Sequence, residues 1–232
     1  MVYNIMAIVY EQEIKDGLEE IIKEKSSIAY LSHAKAINQN DTIRSKILDE
    51  AIAKHDVKQI DLMYIEDILA SVGWNSNDDV FDPIETFRAK DTPVDKQCNL
   101  MHEQNKIIGH ITASKIVDIE GKEIPSSTKE EDLPQYFDVV SNSVIYTKYR
   151  DKNKQEETDN LVAEILDDKW FVSMECLFPD FDFAIITASG DQRIIKRNKD
   201  TAYLTKYLRA YGGNGYVNGN KIKFTKTVTG SV

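Results

Sequence analysis

One serine stands out in this 232-residue chain as a candidate nucleophile. Ser173 lies inside the apolar stretch 168–187, in which Pro179-Asp180 marks a turn between two β-rich halves, so the stretch is predicted to form a β-hairpin. A small hydroxyl on such a strand can face a shallow surface and attack a substrate. A free serine hydroxyl is a poor nucleophile at neutral pH, so it requires a base within hydrogen-bonding reach. If no base is present, Ser173 merely fills a strand position.

Histidine supplies the candidate base. The stretch 99–111 contains His102 and His110, on either side of Ile107-Ile108-Gly109. A histidine within an apolar strand is more often structural than catalytic, which applies to His110. The other two histidines, at positions 33 and 55, fall in charged, helical-looking sequence and are interpreted as surface or boundary residues.

The elements that must position these residues follow from hydrophobic periodicity. Apolar residues recur at helical spacing over residues 10–25 and again over 26–54, which predicts a helical N-terminal segment. From residue 61 onwards, β-branched runs alternate with shorter helical patterns. A strand is predicted near 62–72, β structure at 107–119 and 138–148, a helix over 151–168, another over 201–211, and a last strand over 221–228. The fold class is therefore α+β, with a β-rich core that begins near residue 61.

Composition narrows the classes of function. The formal net charge is −10, which argues against general binding to nucleic acids or anionic membranes. Two cysteines and four histidines do not form a zinc-site pattern, and free thiols in a reducing compartment are expected. No apolar run approaches the roughly 20 residues of a membrane helix, and the first residues do not resemble a signal peptide.

Two motif-like segments have simpler interpretations. The acids Asp78, Asp79 and Asp82 lack the glycine and terminal glutamate of a calcium loop, so a solvated turn is favoured over a metal site. Gly212-Gly213-Asn214-Gly215 follows a predicted helix instead of preceding one, which favours a helix end over a phosphate loop. Neither a metal nor a cofactor is predicted.

Several ordered segments together resemble the prohead core proteases of tailed bacteriophages, in the branch found in myoviruses and cyanophages. The likeness covers roughly residues 61–230. It is carried by 71–82, 89–96, 99–103 with 107–111, 171–176, 200–205 and 208–215, which read SVGWNSNDDVFD, AKDTPVDK, NLMHE with IIGHI, FVSMEC, DTAYLT and LRAYGGNG.

The resemblance implies a fold similar to that of the herpesvirus assemblins, a β-barrel core surrounded by helices. Residues 61–232 would form this protease domain and residues 1–60 a helical accessory segment. In the family order the histidine precedes the serine, so the base falls on His102 and the nucleophile on Ser173. His110 is a reserve base, and a loop near residues 193–197 is a candidate for the oxyanion site.

The third catalytic residue is less determined by the resemblance. The family uses an acid or a second histidine after the serine, and no histidine follows Ser173 here. Asp182 is preferred, because it is predicted to lie on the neighbouring strand among apolar residues, a costly place for an idle carboxylate. Asp191 and Glu175 are the alternatives.

The resemblance further implies a serine endopeptidase of capsid maturation. Its substrates would be phage scaffold and core proteins, the major capsid protein and the protease itself, inside a prohead assembled in the bacterial cytoplasm. A homo-oligomer is expected, with neither nucleic acid nor membrane as a partner. Two alternatives stay open: a catalytically inactive capsid-assembly or scaffold protein of the same fold, and a soluble α+β binding domain.

Overall fold

The computed structural model describes residues 7–24, 27–33, 35–36, 61–74, 79–103, 105–177 and 180–227. These residues form a mixed α+β structure whose sheets are partly curled into a half-barrel. Four α-helices are described: α1 (Glu11–Lys15), α2 (Glu19–Glu24), α3 (Pro83–Ala89) and α4 (Lys152–Leu166). Short 3-10 helices lie at Leu100–His102, Glu130–Asp132, Ala202–Tyr207 and Arg209–Tyr211.

The strands that precede α4 are β1 (Ser27–His33), β2 (Lys35–Ala36), β3 (Leu62–Ser71), β4 (Gly73–Trp74), β5 (Asp79–Phe81), β6 (Gln97–Asn99), β7 (Ile107–Asp118) and β8 (Phe137–Tyr146). Those that follow it are β9 (Phe171–Leu177), β10 (Asp180–Ile186), β11 (Gln192–Ile195), β12 (Tyr216–Val217) and β13 (Asn220–Thr227).

A five-stranded antiparallel sheet has the order β2-β3-β8-β7-β6. Its central strand β8 is almost continuously buried, which suits the apolar and small residues of its sequence. Register shifts between Ile68 and Ala70 in β3, and between Ile111 and Ala113 in β7, interrupt the ladder. Such bulges increase local twist and bend a sheet, which accounts for the curled shape.

A second sheet has the order β11-β10-β13-β5-β4, with β12 paired to β13. Its pairs are antiparallel except β13 with β5, which run parallel. The remaining pair, β1 with β9, forms an antiparallel ribbon in which Leu31 lies opposite Ser173.

The helix boundaries follow their capping residues. Asp82 precedes α3, and its Oδ1 accepts hydrogen bonds from the backbone N–H groups of Ile84 and Glu85 at 2.9 and 3.1 Å. Pro83 occupies the first helical position, as its fixed φ favours. Asp151 caps α4 by accepting from the Lys154 N–H at 2.9 Å. The start of α4 agrees with the helix predicted over 151–168.

Two predicted elements are wrong. Residues 168–187 contain two strands, but these do not form a hairpin, because β9 pairs with β1 while β10 pairs with β11 and β13. The helix predicted over 26–54 is a strand at Ser27–His33 and at Lys35–Ala36, and the rest of that prediction lies outside the described residues. In both cases the strands pair with partners that are distant in the sequence. Local periodicity carries no information about those partners, so it could not predict this structure.

Smaller differences concern the helices. The helix predicted over 201–211 is two short 3-10 helices, separated by Leu208 and ended by Gly212 in the left-handed region at φ 88°. In α4, Leu161 and Ile165 are buried as predicted, but Leu166 is 62% exposed. Residues 107–118 form one long strand, which leads through a tight turn at Gly121 to an antiparallel bridge between Val117 and Glu123.

A buried ion pair attaches the N-terminal helices to the last third of the chain. The Arg197 guanidinium donates to both carboxylate oxygens of Glu13, at 2.8 and 2.6 Å, and both side chains are fully buried. It also donates to Asp180 Oδ1 at 2.6 Å and to the carbonyl of Ile8 at 2.6 Å.

The remaining hydrogen-bonding capacity of this pair is also used. Glu13 accepts from the Tyr10 N–H and from the Thr205 hydroxyl. The guanidinium lies 4.2 Å from the centroid of the Phe181 ring. Two ions can be buried only when such additional contacts satisfy their donors and acceptors, so this junction depends on every member.

We expect Glu13→Gln to lower the free energy of unfolding by about 3 kcal/mol, because it leaves the buried Arg197 charge without its bidentate partner. The matched control is Glu11→Gln in the same helix, where an exposed carboxylate pairs with Lys15. Urea unfolding of both variants measures the difference. Equal midpoints for the two variants would contradict the structural role given to Glu13.

Candidate active site

His102 lies at the end of a tight turn between β6 and β7. The turn is closed by backbone hydrogen bonds between Leu100 N–H and Lys106 C=O at 3.0 Å, and between Glu103 N–H and Leu100 C=O at 3.1 Å. Both Met101 and His102 have positive φ, 55° and 61°, and both are exposed. Histidine is among the residues that tolerate this region best, whereas methionine there carries strain. The turn thus presents His102 to solvent.

Ser173 lies in β9, at the position that pairs with Leu31 of β1. The residue before it, Val172, is partly buried and packs against an apolar cluster formed by Ile65, Ile145, Leu161 and Ile165. We call this the β3–β8–α4 cluster, after the elements that supply it.

The same cluster also supports the histidine turn. Leu100, two residues before His102, packs against it, together with Cys98 and Ile108 from the strands on either side of the turn. The β3–β8–α4 cluster therefore supports both the strand that contains Ser173 and the turn that contains His102. These two segments are 71 positions apart in the sequence, and this shared core is what relates them.

Gly109 allows the strands beneath this turn to approach closely. A Cβ atom at this position would lie 1.9 Å from the backbone carbonyl oxygen of Val144, a distance that no side chain can occupy. The glycine at position 109 thus has a physical basis, since only glycine permits this pairing of β7 with β8.

Asp182 has a different environment from the one predicted. It is buried in β10, which is not the partner of β9. Its Oδ1 accepts from the Arg197 backbone N–H at 2.8 Å, and its Oδ2 lies 3.1 Å from Lys196 Nζ. These contacts give the carboxylate a structural task, to hold the segment that follows β11. The reason for choosing Asp182, its place on the strand next to Ser173, is wrong.

The segment near residues 193–197, considered for the oxyanion site, is also engaged in structure. The Arg197 N–H is donated to Asp182, and its guanidinium is buried against Glu13 and Asp180. Neither group of Arg197 is therefore free to bind an oxyanion. Arg193 lies on β11 with an exposed side chain.

His110, the reserve base, is half-buried in β7. Its Nδ1 lies 2.8 Å from the Tyr146 hydroxyl oxygen, and burial lowers the pKa of the imidazole, with an opposing contribution from Asp95. The nearby Cys98 is a free thiol whose pKa burial raises to about 11 against a weaker opposing hydrogen bond from Ser143, so it is protonated at neutral pH. These contacts favour a structural role for both side chains.

A buried polar row across the five-stranded sheet was missed by sequence reasoning. Asp67, Ser141 and Ser114 occupy paired positions on β3, β8 and β7, and the Ser141 hydroxyl donates to Asp67 Oδ1 at 2.8 Å. Burial raises the pKa of Asp67 from 3.8 to about 6, against the opposing effect of the Ser141 hydrogen bond. The available signal was an aspartate within a strand pattern, opposite the Ser-Asn-Ser run at 141–143.

Comparison of the chain with protein-family models, with curated proteins and with solved structures found no match. Within the described ranges, no helix is both long and apolar enough to cross a membrane. In the same residues, no group of three or more His, Cys, Asp or Glu side chains could hold a metal ion.

The raised pKa of Asp67 makes the free energy of unfolding fall as the pH rises. Its pKa is higher in the folded state, so the folded chain retains this proton between about pH 4 and 6 while the unfolded chain releases it. The stabilisation present below about pH 4 is therefore lost as the pH rises through 6, and the loss is on the order of 3 kcal/mol.

We expect Asp67→Asn to match the wild type near pH 4 and to be more stable at pH 8, because the amide keeps an acceptor for Ser141 but cannot ionise. Ser141→Ala should have the opposite effect. It removes a donor to the carboxylate, so the free energy of unfolding should fall more steeply as the pH rises. Thermal unfolding at both pH values measures these differences. A constant offset between Asp67→Asn and the wild type across this range would show that Asp67 does not titrate there.

Proposed function

We propose that this protein is a serine endopeptidase of the phage prohead-maturation type, with an assemblin-like protease domain over residues 61–232. The observation that carries the proposal is the shared apolar cluster. Val172 and Leu100 pack against the same β3–β8–α4 cluster, which relates the segments of the two residues selected from sequence as nucleophile and base. The curled antiparallel sheet is compatible with a barrel-like core.

The conformation of the histidine turn adds support. A catalytic base must reach substrate at a surface, and His102 is exposed on a turn whose backbone enters the left-handed region at two successive residues. Strained backbone of this kind is retained where the surrounding structure determines it, and it occurs disproportionately at functional sites.

The proposed chemistry is acyl transfer. His102 accepts the Ser173 proton as the hydroxyl oxygen attacks the scissile carbonyl carbon, and a tetrahedral intermediate forms. His102 then protonates the leaving amine, the peptide bond breaks and an acyl-enzyme remains. Water, deprotonated by His102, releases the acid product and restores the serine. Asp182 is left out of this chemistry, because Lys196 and Arg197 already engage its carboxylate.

The proposed substrates are phage scaffold, core and major capsid precursor proteins, together with the protease itself, within the prohead. The resemblance of the sequence supports this part of the proposal. A catalytically inactive head protein of the same fold is the alternative, and it would keep the apolar cluster without using Ser173.

The decisive experiment incubates the purified wild type, Ser173→Ala and His102→Ala with a scaffold or capsid precursor and measures intact masses. We expect defined cleavage products with the wild type alone, and at least a thousandfold slower cleavage with either variant. His110→Ala is the matched control and should cleave at a rate close to the wild type.

A fluorophosphonate probe measures the reactivity of Ser173 without a protein substrate. It should label the wild type at Ser173 and leave Ser173→Ala unmodified. If all folded variants are inert in both assays, or if Ser173→Ala still cleaves, the protease proposal fails and the inactive head protein is favoured.

Asp182 can be tested separately by paired substitutions. Asp182→Ala should lower the free energy of unfolding by about 1–3 kcal/mol, because the buried Arg197 N–H loses its acceptor. Asp182→Asn keeps an acceptor oxygen, so its free energy of unfolding should be close to that of the wild type. Probe labelling of Ser173 should stay within a few-fold of the wild type in Asp182→Asn. A stable Asp182→Asn variant with labelling slowed by orders of magnitude would instead make Asp182 the residue that orients His102.

A further inference from the structure

Three polar side chains meet on the face of the five-stranded sheet opposite the row of Asp67 and Ser141. Glu66 of β3 and Asn142 of β8 occupy paired positions, and Lys115 lies on β7, the strand on the other side of β8. Successive side chains of a strand point to opposite faces, so these three share the face that Asp67 and Ser141 do not. The order of the strands therefore brings together a carboxylate, an amide and a primary amine that are far apart in the sequence.

One carboxylate oxygen joins the other two side chains. Glu66 Oε2 accepts a hydrogen bond from Asn142 Nδ2 at 3.2 Å, and it lies 3.4 Å from Lys115 Nζ. The amine and the amide nitrogen thus flank the same oxygen atom. A carboxylate in this position can take a proton from the amine and give one to the amide nitrogen, which is the task of a general acid–base group.

The amide of Asn142 is buried but only partly satisfied. The residue is 1% exposed, and the residues two positions away on the same face of the strand, Val140 and Val144, are also buried. Within the described part of the chain, Asn142 Oδ1 has no hydrogen-bond partner. Buried amide oxygens are nearly always hydrogen-bonded. A protonated Glu66 would be a donor beside this amide, and that state arises when a proton moves from the amine to the carboxylate.

We propose that Lys115 and Asn142 form an intramolecular isopeptide bond, with Glu66 transferring the protons. Glu66 removes one proton from the Lys115 ammonium, and the neutral amine attacks Cγ of Asn142 to form a C–N bond. Glu66 passes that proton to Nδ2, the bond between Cγ and Nδ2 breaks, and ammonia leaves. The second proton lost by the lysine nitrogen departs with the ammonia as ammonium, so Glu66 is restored and neither an oxidant nor a cofactor is consumed.

The sheet provides the conditions that such a reaction needs. Three hydrogen-bonded strands hold the amine, the carboxylate and the amide together, which replaces an encounter between molecules by a reaction within one. The side chains of Lys115 and Glu66 are 28% and 34% exposed, so the released ammonia has a path to solvent. The inference does not depend on the proposed peptidase activity.

The bond would join β7 covalently to β8, the central strand of the sheet. It would close a loop of chain between positions 115 and 142, and a closed loop reduces the conformational freedom of the unfolded chain. A disulfide has the same effect but needs an oxidising compartment, which an isopeptide bond does not.

Intact mass measured under denaturing conditions tests the bond. The wild type should be lighter than its sequence mass by one molecule of ammonia. Ser173→Ala should show the same loss, and because this variant cannot cleave itself in the proposed way, its mass separates the cross-link from peptidase activity. Trypsin should leave Lys115 uncut and yield a branched peptide that joins residues 107–122 to residues 130–148.

Two variants identify the reacting groups, and a third is the matched control. Lys115→Arg keeps a cation beside Glu66 but has no amine, so it should have its full sequence mass. Glu66→Gln cannot take up the proton and should remain largely at full mass, because general acid–base catalysis contributes about a hundredfold or more. Lys122→Arg changes an exposed lysine beyond the end of β7 and should keep the ammonia loss. Circular dichroism verifies that each variant is folded.

Either of two results would overturn the proposal. A folded wild type at its full sequence mass would show that the three groups do not react. An ammonia loss that persists in Lys115→Arg would assign the loss to a cyclic imide at an asparagine, and hydroxylamine would then cleave the chain at that residue.

Discussion

The buried contact between Glu13 and Arg197 links the N-terminal helices to the last third of the chain. A guanidinium and a carboxylate without solvent exposure can coexist only if almost every donor and acceptor is matched, and here Asp180, Thr205 and two backbone groups complete the set. The N-terminal helices are consequently part of the core around β10 and β13, to which Ile22 also contributes. In this arrangement both Arg197 and Asp182 have structural partners.

The second organising feature is the β3–β8–α4 cluster, which relates segments distant in sequence. Val172 of β9 and Leu100 of the turn after β6 both pack against it. A candidate catalytic pair built in this way needs no continuous motif. It needs two short segments with one partly buried anchor each, and this explains why Ser173 and His102 look unremarkable when each is read alone.

Much of the local structure could be predicted from the sequence. The caps at Asp82 and Asp151, the strands at 62–71 and 220–227 and the helix at 152–166 follow from short-range chemistry, namely side-chain acceptors for free N–H groups and the periodicity of apolar residues. Pairing could not be predicted in the same way. The hairpin expected around Pro179 fails because β9 has its partner at residues 27–33, and a strand's own residues do not specify which distant strand completes its ladder.

The sequence alone determined the element types over most of the described chain, the candidate pair Ser173 and His102 and the acidic character of the whole, because propensity, residue chemistry and charge are properties of single positions. Tertiary structure decided which of the acids are already engaged by neighbouring side chains and backbone groups. Asp182 is held by Lys196 and Arg197, and Asp67 is buried beside Ser141 with a raised pKa. The same aspartate can orient, cap or titrate, and only its neighbours in space select among these roles, because burial and hydrogen bonding set the energy of its charge.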